Sequence, residues 1–167
     1  WGYGYAVAVQ GNYAYVVGTP SLWIIDVQDA AQPTYVGEME SLDQWWWDQQ
    51  RARIVIEGER LFVLTDYKFH VVDVSNPTNP LLRSSIWESD PLADMAIQGQ
   101  RAYLLNLWCG LKVVDFSNAT NLVVEGGLPD RRDGGKALAL AGSRLCIAES
   151  EAELEIVQHP GGAAVVA

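Results

Sequence analysis

The amino-acid sequence predicts an all-β protein, a β-propeller in which four four-stranded blades are present. The main observation is a block of short apolar runs around a glycine, which recurs four times along the chain. The glycines that mark the blocks are spaced 47, 41 and 43 residues apart, and a four-stranded blade typically takes about 40 to 50 residues. The apolar runs are short and bounded by turn residues, which favours strands. The marker glycines are Gly11, Gly58, Gly99 and Gly142.

Each block is interpreted as four strands, A to D. Strand A is the apolar run before the glycine, and the glycine with its polar neighbours forms a tight turn into strand B. Strand C is nearly continuous in apolar residues, as expected of a strand covered on both faces by adjacent blades. The A strands are expected at residues 6–9, 54–56, 95–97 and 138–140, in blades that span about residues 5–40, 52–86, 93–127 and 136–167.

The connection from strand C to strand D carries the most specific pattern. In the second block it reads Asp-Val-Ser-Asn-Pro-Thr-Asn-Pro over residues 73–80, and proline cannot donate to a strand ladder, so this segment is a turn. The first and third blocks keep parts of it, and the fourth has Gln158 where the aspartate is expected. Together with the Leu-x-Ile/Val-Val-Asp strand, this pattern resembles the LVIVD repeat. The resemblance covers nearly the whole chain and implies a propeller, often on secreted or surface proteins, without catalytic residues.

Three aspartates recur at the end of strand C, namely Asp26, Asp73 and Asp115. Three carboxylates could indicate metal binding or acid–base chemistry, but each belongs to a different blade. A residue that recurs at the same position in successive blades is expected to have a structural role that each blade needs. We therefore expect each carboxylate to accept a hydrogen bond from the backbone that follows it.

The charge balance disfavours several classes of partner. The chain has 167 residues, of which 11 are basic and 21 acidic, with a formal charge of −10. Nucleic-acid binding requires a basic surface that displaces counterions, so neither DNA nor RNA is expected. No apolar run reaches the roughly 20 residues that span a bilayer. The two cysteines, Cys109 and Cys146, have no metal-type spacing, and either a disulfide or two thiols fits them.

Departures from the repeat are the candidate contact residues for a partner or ligand. They fall in B–C and D–A connections, which lie on one face of a propeller, called the loop face below. The longest connection contains three adjacent tryptophans, a residue type suited to interfaces and to sugar stacking; the alternative is that their indoles fold over a blade edge. The candidates are Trp45, Trp46, Trp47, Asp48, Tyr67, Trp87, Trp108, Arg131 and Arg132.

Motifs of catalysis are missing from the sequence. It contains no Ser/His/Asp order, HExxH motif, phosphate loop or dinucleotide-binding glycine pattern, so no enzyme activity, cofactor or metal is expected. His70 stands at a variable position of strand C and is expected to be exposed. Arg53 and Asp94 hold equivalent positions in neighbouring blades, and an inter-blade ion pair is favoured over a site in the central channel.

Two functions from different classes fit these observations. The first is a non-enzymatic, extracellular or cell-surface (or periplasmic) module, which binds a protein partner or a neighbouring subunit through the loop face. The second is a carbohydrate-binding or carbohydrate-processing propeller, in which the loop tryptophans stack on sugar rings beside Asp48 or Asp90. Hydrolysis of a glycoside would need two carboxylates about 5 to 10 Å apart in one cleft.

The blade count raises a question of closure. Propellers protect their sheet edges by forming rings of typically four to eight blades. Bare outer faces on a first and a last blade would promote aggregation. We therefore expect the four blades to form part of a larger ring, completed by further sequence or by another chain.

Overall fold

The computed structural model describes residues 3–19, 21–40, 42, 52–107, 110–128, 135–149 and 154–158. These residues form fifteen β-strands and no helix. The first two blades contain β1 (Tyr3–Gln10), β2 (Tyr13–Thr19), β3 (Ser21–Asp26), β4 (Thr34–Glu40), β5 (Arg53–Glu57), β6 (Arg60–Leu64), β7 (Lys68–Asp73) and β8 (Leu81–Trp87). The last two contain β9 (Leu92–Gln98), β10 (Arg101–Asn106), β11 (Gly110–Asp115), β12 (Val123–Gly127), β13 (Gly135–Ala141), β14 (Arg144–Glu149) and β15 (Leu154–Gln158).

Each blade is a meander in which every strand pairs with its neighbour in sequence. The sheets have the orders β1-β2-β3-β4, β5-β6-β7-β8, β9-β10-β11-β12 and β13-β14-β15, and paired strands run antiparallel. The predicted β-propeller class is confirmed. The last blade is expected to extend to about residue 167, and the part of it after Gln158, where a fourth strand would fall, lies outside the described residues. No helix of the described residues is long and apolar enough to cross a membrane.

The marker glycines occupy the A–B turns and have left-handed backbone conformations. Their φ angles are 59° at Gly11, 60° at Gly58, 60° at Gly99 and 63° at Gly142. Side chains with a Cβ atom rarely adopt this region, because the Cβ approaches the neighbouring carbonyl oxygen. The repeat therefore retains glycine for a backbone reason.

The chain divides into two compact units, Trp1–Ile86 and Trp87–Ala167, each with its own apolar core. The core of the first unit joins strands of the first and second blades through buried residues such as Tyr15, Leu22, Leu61 and Val72. In the second unit, Tyr103 and Leu111 of the third blade meet buried residues of the fourth blade, including Leu145 and Ile147.

A glutamine hydrogen bond joins the blades at the A–B turns of each unit. The Gln10 side-chain amide donates to the Gly58 carbonyl at 2.7 Å, and the Gln98 amide donates to the Gly142 carbonyl at 3.0 Å. Each bond ties the A strand of one blade to the turn of the next. The glycine turns therefore also provide acceptors for the neighbouring blade.

His70 contradicts the expectation that it is exposed, because it is fully buried in β7. Four successive residues of this strand, from Phe69 to Val72, are buried. Side chains in a strand alternate between its two faces, so both faces of β7 are covered. The equivalent Trp23 is buried as well, whereas Lys112 is partly exposed.

The repeated aspartates cap the turns that follow strand C, as predicted. The Oδ1 atoms of Asp26, Asp73 and Asp115 accept hydrogen bonds from the backbone N–H two residues later, at 2.8, 2.9 and 2.6 Å. Asn76 and Asn118 accept the same bond from Thr78 and Thr120 farther along the turns. These side chains hold the C–D turns, and the expected scaffold role is confirmed.

Asp73 has an additional partner in its own blade. Its Oδ2 accepts hydrogen bonds from Nε and Nη2 of Arg83 at 3.1 and 2.6 Å. Hydrogen bonding from the Ser75 side chain, followed by that from Arg83, lowers the pKa of Asp73 to about 2. The pKa of Asp115 is also lowered, chiefly by the Ser117 backbone N–H.

We predict that Gly58→Ala lowers the free energy of unfolding by about 1 kcal/mol, the cost of placing a Cβ in the left-handed region. Gly126→Ala is the matched control, since an added Cβ meets open space at both positions and only Gly58 has a positive φ. We expect the control to change stability by less than about 0.5 kcal/mol. Chemical denaturation of both variants measures the difference, and equal losses would show that the turn conformation is not the cause.

We predict that Asp73→Ala lowers the free energy of unfolding by about 1 kcal/mol, the scale of a lost turn hydrogen bond, with little added by the solvent-exposed Arg83 pair. Asp26→Ala, which removes the equivalent bond to Gln28, serves as the comparison and should cost no more. Denaturant titration at neutral pH gives both values. Partner binding should survive, and its loss in a variant of unchanged stability would contradict the scaffold role.

The contribution of Asp73 should also depend on pH. Its pKa is about 2 in the folded chain against an ordinary 3.8, so the folded state favours the ionised carboxylate. The stability difference between wild type and Asp73→Ala should be constant above about pH 5 and shrink as the pH falls from about 4 to about 2. Denaturation at several pH values tests this, and a difference that persists at pH 2 would contradict it.

Candidate functional site

Two of the sequence-predicted contact residues, Tyr67 and Trp87, lie within the part of the chain that the structure describes. Tyr67 belongs to the first unit and Trp87 to the second, and each is treated separately. The other candidates, Trp45, Trp46, Trp47, Asp48, Trp108, Arg131 and Arg132, lie outside the described residues.

Trp87 is the last residue of β8, at the start of the D–A connection that leads into the third blade. Its relative exposure is 64%, which is high for the largest apolar side chain. An indole offers a broad apolar surface and one N–H donor. Trp87 therefore presents on the loop face the type of surface that the sequence predicts there.

The residues after Trp87 are held against the third blade. The Glu88 carboxylate is almost fully buried and accepts a hydrogen bond from the Lys112 ammonium group of β11. Next in the chain, the Ser89 hydroxyl donates to Asp90 Oδ2 at 2.9 Å. The Leu107 N–H donates to the Pro91 carbonyl at 2.8 Å, so the connection is fixed at several points.

Tyr67 is half-buried in the short B–C connection of the second blade. The Thr65 N–H donates to the Lys68 carbonyl at 2.8 Å, and the Lys68 N–H donates to Thr65 Oγ1 at 3.2 Å. These bonds close a tight loop around Asp66 and Tyr67. Tyr67 is thus positioned by its own loop, with less exposed surface than Trp87.

Polar residues recur at the end of strand B, a feature that the sequence reasoning missed. Seven residues after the marker glycine, the second, third and fourth blades have Thr65, Asn106 and Glu149. Thr65 and Asn106 are buried, and within the described part of the chain neither side-chain atom of Asn106 has a hydrogen-bond partner. The in-register comparison of the blocks could have revealed that a polar residue recurs before the B–C connection of these blades.

Asp94 links the third and fourth blades through hydrogen bonds that its carboxylate accepts from backbone N–H groups. Its Oδ1 accepts from the Met95 N–H at 3.0 Å, and its Oδ2 accepts from the Leu138 N–H at 2.9 Å. Leu138 lies in the A strand of the fourth blade, so this carboxylate serves an inter-blade contact. The pairing of Arg53 with Asp94 stays a prediction.

An open groove of about 370 Å³ lies in the first unit on the side of the A–B and C–D turns, opposite the loop face. Amide, carboxylate and phenol groups line it, and it is shallow. The sequence reasoning did not identify it, because its residues belong to the regular repeat. Polar side chains in its lining include Gln10, Asn12, Tyr13, Glu59 and Ser75.

Titratable side chains in the described residues do not gather into a metal site, since no group of three or more His, Cys, Asp or Glu side chains occurs there. Cys146 is a free thiol, and Cys109 lies outside the described residues. The described part of the loop face therefore offers an exposed indole, hydroxyl and carboxylate groups, and one ion pair whose carboxylate is buried.

Solved structures of two computationally designed proteins share the fold. Ika4 superposes with a TM-score of 0.71 at 9% sequence identity, over 94% of this chain and 91% of Ika4. Ika8 gives a TM-score of 0.73 at 9% identity, over 98% of this chain but 49% of Ika8, so the chain spans about half the length of that protein. At this identity the likeness shows the fold alone.

Sequence comparison identifies the family. No curated protein matches the chain. The signature of the LVIVD repeat matches three segments, residues 2–43, 52–87 and 93–127, which together make up more than half of the chain. They coincide with the first three blocks of the repeat, and the fourth block, where Gln158 replaces the aspartate, is not matched. The chain therefore belongs to the LVIVD repeat family and is a β-propeller module built from these repeats.

Proposed function

We propose that the chain is a non-catalytic interaction module that binds a protein partner through its loop face. The observation that carries the proposal is the 64% exposure of Trp87 at the start of a connection that is anchored by buried and hydrogen-bonded groups. Tryptophan is enriched among the few residues that dominate binding energy at protein interfaces. We further propose that the module acts outside the cytoplasm, as is frequent for proteins with LVIVD repeats.

The anchoring of the connection favours binding, because ordering a flexible loop costs free energy when a partner arrives. Glu88 is held by Lys112 of β11, and the backbone of Pro91 is held by Leu107. Trp87 therefore projects from a segment that is ordered before contact. The remaining candidates, Trp45, Trp46, Trp47, Asp48, Tyr67, Trp108, Arg131 and Arg132, would enlarge the contact surface.

A carbohydrate is the second candidate ligand, and one specific observation favours it. The exposed indole of Trp87 is followed within three residues by the Ser89 hydroxyl and the Asp90 carboxylate, which are hydrogen-bonded to each other. Sugar rings stack on aromatic faces while polar groups bind their hydroxyls. A protein is favoured over a carbohydrate because tryptophan is among the residues that dominate binding energy at protein interfaces, whereas the described residues place no second exposed indole beside Trp87 to hold a sugar ring from both sides.

We predict that Trp87→Ala weakens partner binding by at least tenfold, since truncation of an interface tryptophan typically costs about 2 kcal/mol or more. Immobilised wild-type chain captures partners from the secreted and surface protein fraction of the source cells, and the captured protein is then titrated against each variant. Leu82→Ala, at another exposed apolar residue of β8, is the matched control and should bind as wild type does.

The same proteins, wild type and Trp87→Ala, distinguish a protein ligand from a carbohydrate ligand. Binding of wild type to a glycan array that Trp87→Ala abolishes would favour the carbohydrate reading. Capture that is equally strong for wild type and Trp87→Ala would place the contact elsewhere and overturn the role of Trp87. If neither a captured protein nor a glycan is found, the proposed function fails.

We predict that replacing Lys112, the more exposed member of the ion pair, lowers the free energy of unfolding more than replacing the buried Glu88 does. Lys112→Met leaves the buried Glu88 carboxylate without its counter-ion and should lower the free energy of unfolding by about 3 kcal/mol. Glu88→Gln leaves a lysine whose side chain is 37% exposed and which can turn towards water, so we expect a loss of about 1 kcal/mol. Thermal and chemical denaturation measure both, and the reverse order would show that the pair does not anchor the connection as described.

A further inference from the structure

The open groove of the first unit, called the turn groove below, has walls from two blades. One wall lies within residues 10–15 of the first blade, and the other is formed by residues 58–59 and 74–77 of the second. The hydrogen bond from the Gln10 amide to the Gly58 carbonyl joins the two walls at 2.7 Å. The Val74 N–H donates to the Glu59 carbonyl at 2.9 Å and fixes the second wall. The walls are therefore tied together before a ligand arrives, which lowers the cost of binding.

Tyr13 occupies a position of the regular repeat, but its residue type differs from that of the other blades. Two residues after the marker glycine, the other blades have Arg60, Arg101 and Arg144. In the third blade, the Arg101 guanidinium binds the Glu125 carboxylate of the same sheet at 2.7 Å. The first blade replaces this basic group with a phenol ring, so the repeat itself does not account for a tyrosine here.

The ring of Tyr13 is held in place by the core of the unit. Tyr13 is half-buried and packs against the cluster of buried residues shared by the first two blades. Side chains two residues apart in a strand lie on the same face, and the buried Tyr15 also lines the groove. A phenol combines an apolar ring with a hydroxyl that donates and accepts hydrogen bonds. Tyr13 thus gives the groove an ordered aromatic surface.

The polar side chains of the turn groove supply donors and acceptors around this ring. The Asn12 carboxamide does both, and the Glu59 carboxylate accepts. Both side chains are exposed, and neither forms a hydrogen bond with another described residue. The Ser75 hydroxyl already binds Asp73, and its oxygen retains an acceptor site. The groove can therefore satisfy several hydroxyl groups of a ligand.

The charges at the turn groove disfavour an anionic ligand. Glu59 lines it, and Asp26 lies beside it, opposite Tyr13 in the pairing of β2 and β3. No basic residue is among the described residues of the lining. Arg60 follows Glu59 in the chain but lies on the opposite face of its strand from Leu61, which packs towards the first blade. A phosphate, sulfate or carboxylate would meet two negative charges without a counter-ion.

We propose that the turn groove is a binding site for a neutral, hydroxyl-rich ligand, namely a sugar unit at the end of a glycan. A sugar packs an apolar ring face on an aromatic side chain while its hydroxyls donate and accept hydrogen bonds. Tyr13 provides the aromatic ring, and Asn12, Ser75 and Glu59 provide the polar partners. This site is separate from Trp87, which belongs to the second unit.

The size of the turn groove agrees with such a ligand. Its volume of about 370 Å³ lies at the lower end of the range for small-molecule sites, about 300 to 1,000 Å³. One sugar unit can enter, while the rest of a glycan stays in solvent. Because the groove is open, we expect weak binding, with a Kd on the order of 1 mM.

Titration of the ¹⁵N-labelled chain with neutral sugars, followed by NMR, tests the proposal. The probes are the methyl glycosides of glucose, galactose and mannose and that of N-acetylglucosamine, each added to about 50 mM, well above the expected Kd. We expect at least one of them to shift the amide resonances of Asn12, Gly58 and Glu59. If none of the four shifts these resonances, or if the shifts occur only at other residues, the proposal is wrong.

Replacement of Tyr13 tests the role of the aromatic ring. Tyr13→Arg introduces the residue type of the other three blades, so we expect the variant to fold. It should weaken sugar binding at least tenfold, because the ring is lost. Tyr35→Arg is the matched control, since Tyr35 is 54% exposed in β4 and does not line the groove. Unchanged binding by Tyr13→Arg, or equal losses in both variants when both melt as wild type does, would overturn the proposal.

Glu59→Gln distinguishes a neutral ligand from a cationic one. The amide oxygen still accepts hydrogen bonds, so sugar binding should change by less than about threefold. Methylammonium is the cationic probe, and we expect it to bind more weakly than the sugars. If it binds more tightly and Glu59→Gln abolishes its binding, the proposed ligand class is wrong.

The sugar titration of Trp87→Ala separates this site from the proposed loop-face function. This variant should bind the sugars as wild type does, whatever its effect on capture of a protein partner. Loss of sugar binding in Trp87→Ala would contradict the assignment to the turn groove.

Discussion

Apolar packing between the broad faces of successive sheets is the constraint on which the rest of this structure depends. The middle strands β7 and β10 are covered on both sides and bury four of six and five of six residues. Such strands cannot supply polar groups for function without the cost of burying them. The candidate contact residues are accordingly expected in the connections, and Trp87 lies where β8 leads into one.

The repeat could be predicted because its determinants are local. The left-handed glycine of each A–B turn and the aspartate that caps the C–D turn of the first three blades act within two or three residues of themselves. The burial of a variable strand position is not determined locally, because it depends on what packs against that face of the sheet. His70 was wrongly expected to be exposed because Lys112 and Glu155, at equivalent positions, are compatible with solvent, whereas both faces of β7 are covered.

The place of Trp87 in the fold could be predicted from the sequence, whereas the contacts that anchor the connection after it could not. The position of Trp87 on the loop face follows from its place after strand D, and its exposure agrees with a contact role. The ion pair of Glu88 with Lys112 joins residues 24 positions apart, and no sequence spacing relates a D–A connection to the middle of a later strand C. The only hint of this ion pair in the sequence is that Glu88 and Lys112 have opposite charges and both depart from the repeat pattern. Likewise, Gln10 and Gln98 act across blades, which no pattern within a single block reveals.

The meander order of the sheets favours rapid folding of each blade. Every described strand pairs with the strand that directly follows or precedes it, so the connections that must close are short and the loss of chain entropy on closure is small. Low contact order of this kind speeds folding in comparison with other β architectures. A ribosome that releases this chain would present each hairpin complete before the next strand emerges, and the slow event would be the docking of finished sheets on one another.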